Sequence, residues 1–113
     1  DIALIPVVSP GVPEERLKQL AKNASGFVYC TSRQGITGAT SKFAKGLEDF
    51  ATVAKRIFTL PLAVGFGVKS KEDVQSLAKF ADIVIAGSVF VNVIKYSASD
   101  SISAVKKAIK DLI

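Results

Sequence analysis

An α/β fold on a parallel sheet is predicted by three features of the 113-residue sequence: four short apolar runs without polar alternation, a helical pattern between successive runs, and glycine-bearing segments where the runs end. Strands covered on both faces read as continuous apolar stretches, and the helices between them supply the right-handed crossovers that parallel pairing needs.

The first run, "IALIPVV", spans residues 2–8. Pro6 is discordant there, because proline cannot donate to a ladder, so a bulge or an unpaired position is expected. The next segment, 12–24, reads as a helix: Pro13 suits a first turn, Glu14 and Glu15 favour its dipole, and Leu17, Leu20 and Ala21 share a face. "GFVYCTS", 26–32, is the second strand. After the loop 32–40, residues 41–58 place Phe43, Leu47, Phe50, Val53, Ala54 and Ile57 at helical spacing, with Gly46 weakening the helix. "PLAVGFG", 61–67, is the third strand, and Ser70 with Asp73 opens the helix 71–81 as an approximate capping box. "DIVIAGS", 82–88, is the fourth strand, followed by a short helix at 89–96 and an amphipathic one at 100–113 capped by Asp100 or Ser99. A single domain, residues 1–113, is expected.

Composition narrows the function. The chain is 49% hydrophobic, enough to bury a core, and no apolar run reaches the roughly 20 residues of a membrane span. No Lys- or Arg-led signal opens the sequence, so a soluble, cytoplasmic protein is expected. There is one cysteine, Cys30, which excludes an internal disulfide, and its apolar neighbours suit a buried small hydrophobe better than a nucleophile. Histidine is absent, which removes imidazole general bases and Cys/His zinc sites; no metal and no cofactor is expected. The formal charge of +5 is spread over helix faces, with no basic stripe interleaved with stacking aromatics, so neither nucleic acid nor a membrane is expected as partner.

In parallel α/β folds ligands gather at the carboxyl ends of the strands. Those ends carry Ser9-Pro10-Gly11, the loop "SRQGITGAT", Gly65-Phe66-Gly67 and Gly87-Ser88. Glycine lets backbone N–H groups approach an anion, and a helix N-terminus adds unpaired donors. Gly87-Ser88 ahead of "VFVNVI" therefore reads as a phosphate cradle, joined by amides of Gly67 and Gly38. Glycines of tight turns are also often only conformational, and it is their convergence on one rim that favours a ligand. Tyr29, on the face of Phe27, lines a pocket or sits in the core. Arg33 meets an anion or a neighbouring carboxylate. Asp1 and Asp82 lie at strand starts, the wrong end for catalysis.

"SGFVYCTSRQGITGA", "LPLAVGFGV" and "ADIVIAGSVFV", in this order and at these separations, closely resemble the C-terminal half of the tryptophan synthase alpha subunit family. The resemblance implies βα units 5 to 8 of a TIM (β/α)₈ barrel, hence four parallel strands. It implies the parent lyase reaction, retro-aldol cleavage of indole-3-glycerol phosphate to indole and glyceraldehyde-3-phosphate in tryptophan biosynthesis. A beta subunit using pyridoxal phosphate is the implied partner. It also implies substrate phosphate binding by Thr37 and Gly38 of the loop, Phe66 and Gly67 of "GFG", and Gly87 and Ser88 of "AGS", with Tyr29 as an accessory active-site tyrosine.

A whole barrel takes about 250 residues, and the family's catalytic glutamate and aspartate fall in the half that has no counterpart here. The chain alone is expected to bind phosphate weakly and to be inactive. Its strands should expose apolar residues otherwise pointing into a barrel, among Ile5, Val7, Val28, Ala63, Val84 and Ala86. Covering them calls for a homo-oligomer, rearrangement to an open sheet, or association with an N-terminal half. The alternative reading is a non-catalytic half-barrel module that binds phosphate or oligomerises. Another sugar-phosphate barrel is disfavoured by "SRQGITGA".

Overall fold

The apolar runs become four short parallel strands with the helices of their crossovers between them. The structure, a computed structural model, describes residues 1–32, 46–65 and 67–113. The elements follow as β1 (Val7–Val8), α1 (Glu14–Ala21), β2 (Val28–Thr31), α2 (Leu47–Phe58), β3 (Leu62–Gly65), α3 (Lys71–Leu77), β4 (Ile83–Ile85), α4 (Ser88–Tyr96) and α5 (Ser101–Leu112). The sheet order is β1-β2-β3-β4, every pairing is parallel, and the α/β class expected from the alternating pattern is the one observed.

Register separates the two faces, because laterally paired residues point to the same side. One row runs Val8, Cys30, Val64, Val84, flanked by the pair Val28 and Leu62. This face meets the helices: Val8, Val28, Cys30, Leu62 and Val64 form one cluster with Leu17, Ala51, Ala54, Phe58 and Leu77. The opposite row runs Val7, Tyr29, Ala63, Ile83, and continues through Thr31, Gly65 and Ile85. Here Val7 is 64% exposed and Ile83 42%. Of the residues expected to point away from the helices, Ile5, Val7 and Ala63 are consistent with that face. Val28 belongs to the helix-facing core, and Val84 and Ala86 pack against it. The error is one of phase: with a period of two, a one-residue slip moves a side chain to the other face.

Pro6 makes no bulge. It precedes β1, which is only two residues long, and contributes a carbonyl that accepts from the Tyr29 amide at 3.0 Å. Upstream, Leu4 and Ser25 stay tied, the Ser25 amide donating to the Leu4 carbonyl at 3.0 Å and the Leu4 amide to Ser25 Oγ at 3.1 Å. Gly46 has φ 78° and lies at the N-cap of α2, so that helix starts after the glycine rather than running through it; residues 41–45 of the expected helix lie outside the described residues.

The capping expectations hold. The Asp73 amide donates to Ser70 Oγ and the Ser70 amide to Asp73 Oδ2, both at 3.2 Å, with the Lys69 amide adding a third bond at 2.9 Å. Asp100, not Ser99, caps α5, accepting from the Ser103 amide at 3.0 Å. Its hydrogen bonds with Ser103 hold its carboxyl below the ordinary value.

Asp82 has a structural task at the amino ends of the strands. Its carboxylate accepts the Leu62 amide at 2.8 Å and pairs with Lys55 Nζ at 2.9 Å, while its own amide donates to the Leu62 carbonyl at 2.9 Å. The Leu62 amide first, then Lys55, hold its carboxyl below the ordinary range. A folded pKa below the unfolded one gives stability that is present above the unfolded value, about 3.9, and lost as pH falls through the folded value. The carboxylate is 40% exposed, so solvent discounts the ion pair. Asp82→Ala is expected to cost about 1 kcal/mol in urea melts at pH 7, mostly through the orphaned Leu62 amide. The gap between variant and wild type should shrink at pH 3; an equal gap at both values would refute the linkage.

Candidate phosphate site

The site is built by the carboxyl ends of β3 and β4. Gly67 follows β3 and has φ 80°, in the left-handed region where a side chain is strained. It turns the chain from β3 toward the Ser70 cap of α3. After β4, Gly87 occupies the N-cap of α4 and Ser88 is the first helical residue, one position earlier than the pattern predicts. No side chain caps this helix. The Gly87 carbonyl accepts from the Phe90 and Val91 amides at 3.0 and 3.3 Å, and the first-turn donors lie ahead of them, where α-helices have N–H groups without intrahelical partners. Among the described residues, a Cβ built on Gly87 meets nothing within 4 Å. Backbone donors, a positive dipole end and room for a ligand suit an anion.

Tyr29 lies on the inner face and is half-buried. A Cβ on Gly65 would stand 3.1 Å from the Tyr29 hydroxyl, 2.9 Å from Ile85 Cβ and 3.0 Å from the Ile85 carbonyl oxygen. Gly65 is thus the last strand residue, not part of the loop, and its missing side chain lets the tyrosine hydroxyl reach the ligand end of the sheet. Sequence reasoning placed Gly65 among the loop glycines. The signal that would have separated it, its position two beyond the lateral partner of Tyr29, needs the register.

A cleft of about 410 Å³ runs beside α4, between Lys69 and the stripe Ser88, Val89, Asn92, Val93 and Tyr96. Among the described residues its lining includes a lysine and no carboxylate. Cys30 is buried in the helix-facing core, and burial pushes its thiol up to about 11, as expected of a structural residue. Among the described residues there is no cluster of three metal-ligating side chains and no helix long and apolar enough to cross a membrane. Of the predicted site residues, Gly67, Gly87 and Ser88 fall on adjacent strand ends and Tyr29 on the inner face of the same sheet. Thr37, Gly38 and Phe66, like Arg33, lie outside the described residues.

Four parallel strands with the helices of their crossovers and an open helix N-terminus on the carboxyl rim define a half-barrel of the TIM type. The sequence profile of the tryptophan synthase alpha chain matches residues 1–112. The chain belongs to that family, a family of lyases. It is 37% identical over 112 residues to the tryptophan synthase alpha chain of Campylobacter jejuni subsp. doylei, covering 99% of this chain and 44% of that one. It is 43% identical over 89 residues to the corresponding chain of Caldicellulosiruptor saccharolyticus, covering 79% of this chain and 35% of that one. Among solved structures, one of the tryptophan synthase α2β2 complex of Pyrococcus furiosus superposes with a TM-score of 0.83 at 38% identity, over 98% of this chain and 45% of its counterpart. The chain therefore spans less than half the length of the relatives it matches.

Proposed function

We propose that residues 1–113 form one half-barrel unit that carries the phosphate end of the substrate site of a tryptophan synthase alpha chain, whose whole reaction is cleavage of indole-3-glycerol phosphate to indole and glyceraldehyde-3-phosphate. The observation that carries this reading is the N-terminus of α4, without a side-chain cap and with nothing among the described residues within 4 Å of a Cβ built on Gly87, on the strand end next to the Gly67 turn. In this reading the amides of Gly67, Gly87 and Ser88 hold the phosphate, Phe66, Thr37 and Gly38 complete its surroundings, and the Tyr29 hydroxyl faces the indole glycerol portion as an accessory group. Binding one end of a substrate in this way fixes the distance of its scissile bond from the rim.

Carbon–carbon cleavage also needs a group that protonates indole C3 and a base for the glycerol hydroxyl. The acid and base come from a complementary four-strand half, and the chain alone is inactive. The beta subunit is the partner of the assembled protein, and the cytoplasm its compartment. Mixing the chain with a separately produced N-terminal half of a family member should yield indole release from indole-3-glycerol phosphate that neither half gives alone. A complex that forms without turnover would favour the second reading, a non-catalytic phosphate-binding module.

A further inference from the structure

We propose that Lys69 supplies the full positive charge that the α4 N-terminus lacks, pairing its ammonium with a phosphate group bound at Gly87 and Ser88. This role of Lys69 rests on the phosphate site proposed for Gly87 and Ser88, and it adds a side chain that the glycine pattern does not contain.

Backbone amides and a serine hydroxyl offer hydrogen bonds, but a helix end carries only about half an elementary charge. A phosphate monoester carries roughly one and a half to two negative charges near neutral pH. A cation beside the same helix end offsets the remainder.

Position selects Lys69. It follows the Gly67 turn by two residues, and its amide donates to Asp73 Oδ2 at 2.9 Å, which ties its backbone to the capping box of α3. Its side chain lines the cleft of about 410 Å³ that Ser88 lines from α4. Val89 and Val93 border this cleft and also a neighbouring one of about 520 Å³, as Lys69 does, so its four-carbon stem has apolar surface to lie along toward the rim. Lys18, Lys55, Arg56 and Lys107 each pair with a carboxylate, whereas the Lys69 ammonium makes no ion pair among the described residues. Lys71 lines the second cleft and not the one that holds Ser88. The carboxylates of that second cleft are Glu72 and Asp111, and Asp111 is held by Lys107 at 2.8 Å. Asp73 Oδ2 is taken by the Lys69 and Ser70 amides. Glu72 is therefore the competitor for the ammonium among the described residues.

Inorganic phosphate is titrated into the chain at about pH 8, where it is mostly doubly charged, while amide shifts are followed. Gly87 and Ser88 should respond, and Lys69→Gln should weaken binding about fivefold, the upper end for an exposed ion pair. Lys69→Arg should keep most of the affinity. Lys71→Gln, which removes the same net charge, should bind like wild type. In about 1 M sodium chloride, where screening acts over roughly 3 Å, wild type and Lys69→Gln should converge. The Lys69 side chain is exposed, so both glutamine variants should melt with wild type. Equal affinities of wild type and Lys69→Gln, with Gly87 and Ser88 still responding, overturn the role of Lys69 and leave the phosphate site standing. An equal loss in the two glutamine variants also overturns it, since net charge and not position would then set the affinity. A wild type whose Gly87 and Ser88 amides ignore phosphate overturns the phosphate site and the role of Lys69 together.

Discussion

Gly65→Val is expected to abolish cooperative folding or lower the urea midpoint more than any other single change in the sheet. A Cβ at this position would sit 2.9 Å from Ile85 Cβ and 3.0 Å from the Ile85 carbonyl oxygen. Both belong to the neighbouring strand, and the oxygen is backbone, so neither can rotate away. The Tyr29 hydroxyl at 3.1 Å closes the remaining direction. Overpacking of this kind typically costs about 1–3 kcal/mol for added methyl-sized groups, and valine adds two further methyls beyond the first carbon. Domains hold only about 5–15 kcal/mol in total. Gly65→Ala should show the smaller version, a loss of about 1–3 kcal/mol. The sign is what makes the test sharp. Valine normally fits a strand better than glycine, so a stabilised Gly65→Val protein would mean that the close approach of β4 and Tyr29 is wrong.

The alternating pattern carried the fold because parallel strands and crossover helices each leave a strong one-dimensional signature. The four apolar runs and the helices between them needed no knowledge of register to be placed. Facing was harder. A parallel strand has no polar alternation to set its phase, so Val28, Val84 and Ala86 were assigned to the wrong side while Val7 and Ala63 were not. Pairing to neighbours decides that phase, and pairing is nonlocal. Gly65 illustrates the same limit: as a letter it matches Gly67, yet one is a strand residue cleared for Tyr29 and the other a turn residue with φ 80°. Glycines ahead of a helix pattern were enough to point to the α4 N-terminus, because the proposed anion contacts there would come from the backbone and depend on where a helix starts. Asp82 lies at a strand start, as its place in the sequence indicates, but its bonds to Leu62 and Lys55 span 20 and 27 residues and leave no local trace.

Gly87→Asp separates fold from ligand binding. Two helices spend a side chain on their N-termini, Ser70 for α3 and Asp100 for α5, whereas α4, like α1 and α2, has no side-chain cap, and its N-cap is glycine. On stability grounds the difference is small, since Asp at an N-cap exceeds glycine by roughly a few tenths of a kcal/mol. Among the described residues the position has room for the change: a Cβ meets nothing within 4 Å, and φ is −122°, outside the left-handed region. The variant should therefore melt no lower than wild type. Inorganic phosphate, titrated while amide shifts are followed, should bind at least about tenfold more weakly, because the carboxylate occupies the donors and repels a second anion. Unchanged phosphate affinity would remove Gly87 from the site. A lower melting temperature would instead show that the glycine serves the backbone, whose ψ of −65° departs from ordinary N-cap geometry. Only the combination of retained stability and lost binding fits a helix end left uncapped to receive an anion.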